Sequence, residues 1–202
     1  MTEASKSDLT RSRILDAGRS LLLRHGFSGV GLSRILAESG VPKGSFYYYF
    51  PSKEAFGAAL LQDYVEGYTE RVDALIARPE TAGEKFNLFW NAWLAEGDQP
   101  GIATKCLVIK LGAEVADLSD TMREILDSGV NALVDRLAQL LREGEQDGSV
   151  RAFEDPETTA RMLYAKWVGA AVLAKLAQSD APLRMAKDEA TKHLSPIGNT
   201  TS

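Results

Sequence analysis

The sequence predicts an all-α fold, on three observations. Apolar residues recur at three- and four-residue steps along most of the chain, the spacing that puts them on one face of a helix. Glycine and proline fall between these stretches, where helices stop and start. The one stretch with strand character, Cys106–Leu111, has no second strand to pair with, so it too is read as helical.

The elements follow in order. Ile14, Gly18, Leu21 and Leu22 define a first helix, with Thr10 as its expected cap and Gly26 as its stop. Leu32, Ile35 and Leu36 form a short second helix, Leu32–Ser39, ending at Gly40, and a third short helix fits Lys43–Tyr49. Ser52 caps a long fourth helix, where half a capping box is present. Phe56, Leu60, Leu61, Tyr64, Val65, Tyr68, Val72, Leu75 and Ile76 line its buried face until Pro79. Phe86, Phe89, Trp90, Trp93 and Leu94 make one aromatic stripe, and Lys105–Val115 is a short apolar segment. A long repeat from Met122 to Leu141 stops near Gly148. Pro156 and Glu157 open a helix to about Gln178, and a last one runs from Pro182 to His193. The expected organisation is a three-helix head over residues 8–54, a helical body over 55–194 and a disordered tail over 195–202.

Composition narrows the function. The chain is 45% hydrophobic and 25% charged, ordinary values for a protein with a core. Its start is polar, and no apolar run reaches the roughly 18 residues of a membrane span, so no membrane partner is expected and cytoplasm is the default location. Cys106 is the only cysteine, which excludes an internal disulfide, and His25 and His193 lie far apart, so no metal site is expected. There is no phosphate loop, no dinucleotide glycine fingerprint and no histidine beside the cysteine, so no catalytic residues and no cofactor are assigned and an enzyme is the weaker reading. Net charge is −5, yet residues 1–53 carry eight Lys/Arg against four acids. A basic end on an acidic protein suits a polyanion bound at that end.

The N-terminal pattern fits a helix-turn-helix: a helix to Ser39, a turn of Gly40-Val41-Pro42, and a helix from Lys43. Gly40 permits the turn's backbone, Val41 can plug between the helices, and Pro42 gives up no amide at a helix start. Lys43, Gly44 and Ser45 open the third helix, where free amides and the dipole favour an anion. Tyr47 and Tyr48 can reach phosphates one turn on, and Lys53 can clamp another, while Phe46 and Phe50 face the core. Arg13, Ser33 and Arg34 complete the candidate DNA-binding set with Pro42, Lys43, Gly44, Ser45, Tyr47, Tyr48 and Lys53. Short helices joined by Gly-Val-Pro also occur in helical interaction modules without DNA affinity.

The stretch Phe27–Leu32, then Ile35-Leu36, then Gly40–Glu54 resembles the DNA-binding signature of the TetR family of repressors. That resemblance implies a nine-helix homodimer whose first three helices form the DNA head, with a ligand-binding and dimerisation body behind it. Gly31 departs from the pattern, since many members carry a Thr or Ser helix cap there. Operator recognition by two heads implies a near-palindromic double-stranded site. The segment Lys105–Val115 with Asp117-Leu118-Ser119, and Tyr164–Ala170 with Ala174-Lys175, are similar to a subgroup controlling the detoxification of electrophiles or unsaturated carbonyl compounds. A cysteine is the sensor in some of its members.

The residues support that reading in their own right. Thr104 as N-cap would put Cys106 at the second helical position, where amides and dipole favour the reactive thiolate. The alternative is a small buried hydrophobe. Lys175 follows a small, apolar face where a lysine is unexpected. If partly buried it is a thiolate counter-ion or a nitrogen partner for oxidised sulfur, and otherwise it reaches solvent. Tyr64, Tyr68, Phe89, Trp90, Trp93, Lys110 and Trp167 are the candidate lining of a ligand pocket, which would serve a reversible, non-covalent inducer equally well. Met162, Val168, Gly169, Ala170, Val172, Leu173 and Leu176 make one helix apolar nearly all round. Paired with the Met122–Leu141 helix, it suits a four-helix dimer interface.

Overall fold

The computed structural model describes residues 6–94 and 101–196, and every regular element among them is a helix. Lys6–His25 forms α1. The expected cap, Thr10, lies inside it, because the polar stretch upstream extends the helix and brings Asp8 to its first turn. Gly26 ends α1 with φ +75°. Leu32–Ser39 is α2 and Lys43–Tyr49 is α3, both with the limits the pattern predicts. Lys53–Ile76 is α4, and Ser52 Oγ accepts the Ala55 amide at 2.9 Å as its cap.

Ala82–Trp93 is α5, opened by a complete capping box of Thr81 and Glu84. Ile102–Lys105 is α6 and Leu107–Leu118 is α7, and the break between them falls at Cys106. Asp120–Asp147 is α8, Pro156–Ala177 is α9 with Asp155 accepting the Thr158 amide, and Ala181–Leu194 is α10. Counting α6 and α7 as one interrupted helix gives the expected nine among the described residues. Ser195, expected in a disordered tail, is tied to the end of α10 through Thr191 O. The tail from 197 onward lies outside the described residues.

By packing the chain divides into Met1–Glu66 with Lys110–Ser128, and Gly67–Ile109 with Gly129–Ser202. The division falls within α4 rather than at the expected residue 54, because the first turns of α4 belong to the head's core. A Cβ on Gly18 of α1 would lie 2.2 Å from Phe56 Cζ, and one on Gly57 would lie 2.5 Å from Phe27 and 2.7 Å from Met122 Sδ. Glycine at these places is what lets the helices close on Phe56 and Phe27. Ile14, Leu21, Val30, Ile35, Phe46, Phe56 and Leu60 are fully buried in this unit.

The second unit has its own core, from Phe86, Phe89, Trp90 and Trp93 of α5, the latter part of α8, and Leu163, Tyr164 and Trp167 of α9. Trp90 and Trp167 stack with ring centroids 4.4 Å apart and planes 4° from parallel. Aromatic pairs of this kind add about 0.5–1.5 kcal/mol to the area they bury.

Candidate nucleic-acid interface and sensing site

The head presents α3 through a tight turn. Gly40 takes φ +64° and returns its amide to Leu36 O, the left-handed end that a Cβ would strain. Val41 is buried. Pro42 sits at the N-cap of α3 and no side chain caps that end. Phe46 and Phe50 are buried, 5.5 Å apart, and turn the opposite face outward. On that face Lys43 and Gly44 are exposed, Ser45 is half-buried, Tyr47 is 45% exposed and Tyr48 80%. A Cβ at Gly44 would meet nothing within 4 Å, so the backbone itself is accessible there. Ser33 and Arg34 are exposed at the start of α2.

Two of the candidate DNA-binding residues are engaged with the head itself. Lys53 donates to Phe27 O at 2.8 Å and its ammonium lies 4.5 Å from the Phe27 ring centre. Burial lowers its pKa, opposed by the nearby Glu114 carboxylate. Arg13 donates to Ser39 O at 3.0 Å, satisfying a carbonyl at the end of α2. Both are supports of the reading helices. Gly31, the departure noted in the sequence, leaves α2 without a side-chain cap.

In the second unit Cys106 is 4% exposed, in extended backbone directly before α7. Thr104 is not the expected cap. It lies inside α6, and its hydroxyl donates to Gly101 O at 2.8 Å. Cys106 therefore occupies the N-cap position of α7 rather than its second residue, still at the helix start. Burial pushes the phenols of Tyr68 and Tyr164 above their ordinary pKa, and electrostatic interaction with Cys106 raises each further. The Trp93 indole acts on the Tyr68 hydroxyl in the opposite direction.

Lys175, for which the sequence leaves burial and solvent exposure both open, is exposed on the last turn of α9. It lines a cavity of about 440 Å³ with Trp93, Gly101, Ala103, Thr104, Ala174 and Leu183. The cavity thus joins Lys175 to the residues immediately before Cys106.

The expected pocket residues separate. Tyr68 and Phe89 line a second cavity of about 420 Å³ with Arg71, Leu75, Arg78 and Ile102, and the Arg71 guanidinium lies 5.7 Å from the Tyr68 ring centre. Trp90 borders a smaller cavity of about 250 Å³ beside Thr81 and Ser149, while Trp167 is fully buried in the stack. Tyr64 and Lys110 belong to the first unit. There Lys110 acts on His25, whose pKa is lowered by desolvation and then by Arg34, Arg24 and Lys110. Lys110 is assigned to the head and not to the pocket, because α7 continues into the first unit after Ile109.

Tyr164 and Arg71 are candidate site residues that periodicity did not single out. Their apolar or polar neighbours in sequence look like ordinary helix faces, and only the fold brings them to Cys106 or to a cavity. On α9 and α10, Met162, Leu173, Leu176 and Met185 are exposed large apolar side chains, with Leu176 at 76%. Among the described residues, no group of three or more His, Cys, Asp or Glu could hold a metal ion, and no helix is long and apolar enough to cross a membrane.

Residues 14–60 match the family model for bacterial regulatory proteins of the tetR family, and residues 82–190 match that for the tetracyclin repressor-like C-terminal domain. The chain is 39% identical over 178 residues to the HTH-type transcriptional repressor NemR of Escherichia coli K12, covering 88% of this chain and 89% of that one. It is 33% identical to the transcriptional regulator AcuR of Cereibacter sphaeroides, covering 89% and 83%. The reduced form of E. coli NemR superposes with a TM-score of 0.85 at 36% identity, over 95% of this chain and 99% of that chain.

Proposed function

We propose, from the premise that this chain belongs to the TetR family of bacterial regulatory proteins, that it represses transcription from a near-palindromic operator and is released when an electrophile or oxidant reacts at Cys106. One observation carries the sensing reading. The only thiol of the chain is buried at the break between α6 and α7, close enough to the buried phenols of Tyr68 and Tyr164 to interact with both electrostatically. Both phenols keep their protons at neutral pH and can donate to a thiolate, which lowers the cost of forming it. The α7 start adds its amides and dipole.

The thiolate adds to the β-carbon of an unsaturated carbonyl, and the resulting enolate takes up a proton. Lys175 lines the cavity that reaches Thr104 and supplies a positive charge there, or, once an oxidant such as peroxide has converted Cys106 to a sulfenic acid, its amine condenses with that sulfur with loss of water. A change of volume at Cys106 displaces α7, and α4 carries the change to the heads. Moving an operator from mostly bound to mostly free takes about 5 kcal/mol of differential binding.

On the DNA side, α3 enters the major groove with Lys43, Gly44, Ser45, Tyr47 and Tyr48 on its outer face, and Ser33 and Arg34 meet the phosphates. The exposed apolar side chains of α9 and α10 pair with a second copy, α10 taking the place expected for the Met122–Leu141 helix, whose apolar stripe is buried within the chain, so that two heads read one site.

Cys106→Ser tests the sensing reading. Operator binding is expected unchanged in a gel shift, and release by N-ethylmaleimide abolished, with a mass adduct at Cys106 in the parent only. Release that persists in Cys106→Ser removes the cysteine from the mechanism. A second reading is favoured by the cavity lined by Tyr68, Phe89 and Arg71, which suits reversible binding of a small apolar molecule with a polar or anionic end. Release by such a ligand without any mass change would select it.

A further inference from the structure

We infer that Glu114 is a positioning residue of the DNA-binding head: its carboxylate fixes the turn between α1 and α2, and a displacement of α7 reaches that turn through it. The inducer arm of this inference rests on the sensing reading above.

The turn needs an outside partner. Gly26 ends α1 at φ +75°, and beyond it the amides of Phe27 and Ser28 have left the helical ladder. Glu114 accepts both, Oε2 from Phe27 N–H at 2.9 Å and Oε1 from Ser28 N–H at 2.7 Å. A carboxylate paired with two amides makes short, charge-assisted bonds that fix orientation as well as distance. The turn is held from its other side by Lys53, which takes the Phe27 carbonyl. Phe27 thus has its donor on an anion and its acceptor on a cation, each from a different helix.

Space enforces the arrangement. A Cβ at residue 26 would come 2.8 Å from Glu114 Oε2, so the carboxylate fills room that only glycine leaves. Burial pushes the Glu114 pKa up, but the Ser28 and Phe27 hydrogen bonds and the positive Lys110 bring it below the ordinary value, so the group is fully ionised at neutral pH. A second tie lies at the end of the same helix, where Ser119 Oγ donates to Glu54 Oε1 at 2.7 Å, at the start of α4.

Turn amides are often met by a nearby side chain. This turn takes an acceptor 87 residues away, on a helix that starts directly after Cys106 and runs unbroken to Leu118. Glu114 lies roughly 10 Å along that helix from its start. A shift or rotation at the helix start moves the carboxylate, and the two amides follow it or lose it.

The test uses full-length dimer, with Glu114→Gln as a nearly isosteric variant that keeps one carbonyl acceptor and loses the charge. Amide exchange at Phe27 and Ser28 and operator affinity are measured before and after N-ethylmaleimide. In the parent the two amides are expected protected and the operator bound, with both lost on treatment. In Glu114→Gln the amides are expected to exchange quickly at the outset, and the ratio of untreated to treated affinity to fall at least about fivefold. Protected amides with parental operator affinity in untreated Glu114→Gln overturn the positioning role. That result does not depend on whether Cys106 senses anything, which the Cys106→Ser adduct experiment decides separately. Equal weakening of both states, with the ratio kept, overturns the relay and leaves a merely structural contact. Should Glu114→Gln fail to fold, Glu114→Asp, which keeps the charge and shortens its reach, decides by the same readings.

Discussion

The two units of this chain both combine an aromatic core with polar ties, the first around Phe46, Phe50 and Phe56 and the second around the tryptophans, but the polar ties bear on the turns and helix ends of the first more than on the core of the second. In the first, short helices are pinned by directional polar contacts: Arg13 to Ser39, Lys53 and Glu114 to the Phe27 turn, Ser119 to Glu54, and the Arg19–Asp63 ion pair. In the second, large aromatic rings fill the core, and the indole nitrogens of Trp90 and Trp167 are buried without an acceptor. Hydrogen bonds fix direction, and losing one leaves a costly orphan. Ring packing is close but less directional, so a core built from it shifts with smaller penalties per contact. A surface that must match DNA uses the first means, and a region proposed to respond to a small molecule uses the second.

The largest expected effect that sharpens this contrast is Trp167→Ala. Removing the ring from the Trp90 stack costs about 3–5 kcal/mol of stability and is read by denaturant unfolding. Loss of that size without loss of the head's helix signals would show the units to be separable. If Trp167→Ala proves nearly neutral, the aromatic core is not what holds the second unit.

Next in size is Gly40→Ala in the head. The residue is held in the left-handed region, and a Cβ there costs about 1–2 kcal/mol. Operator affinity is expected to fall with stability, because the same turn sets the angle of α3. A stable variant with weakened binding would separate geometry from folding.

Lys43→Ala probes the face itself. It makes no contact with the core, so stability should hold while affinity drops for every sequence alike and the salt slope of binding falls by about one. An unchanged slope measured by titration at several salt concentrations would take Lys43 off the phosphate backbone.

The smallest effect concerns acid. The Glu114 pKa is lowered in the fold, so its contribution is fully present above the ordinary value of 4.5 and is lost as pH falls through the folded value. The stability gap between parent and Glu114→Gln is therefore expected flat near neutrality and closing below about pH 4.5. A gap that persists in acid would mean that the variant fails through packing and not through charge.

Much of this was legible in the residues. The limits of α2 and α3, the Gly26 and Gly40 stops and the inward Phe46 and Phe50 all follow from local rules, since each depends on atoms within a turn or two. Local rules fail where distant atoms compete. Thr10 and Thr104 look like caps, but neighbouring residues extended the helices past them. Lys53 looks free in sequence, and it finds the Phe27 carbonyl only when the start of α4 packs against the turn after α1.

The chain's pattern of apolar spacing, glycine and proline therefore settles which segments are helices and which short one carries an outward reading face, because helix periodicity and backbone conformation are properties of neighbours. The tertiary structure alone decides what Cys106 faces, which charged groups are already engaged, and that Glu114 grips a turn far away in sequence. Those depend on which buried surfaces meet, and burial is what makes a single carboxylate or phenol count.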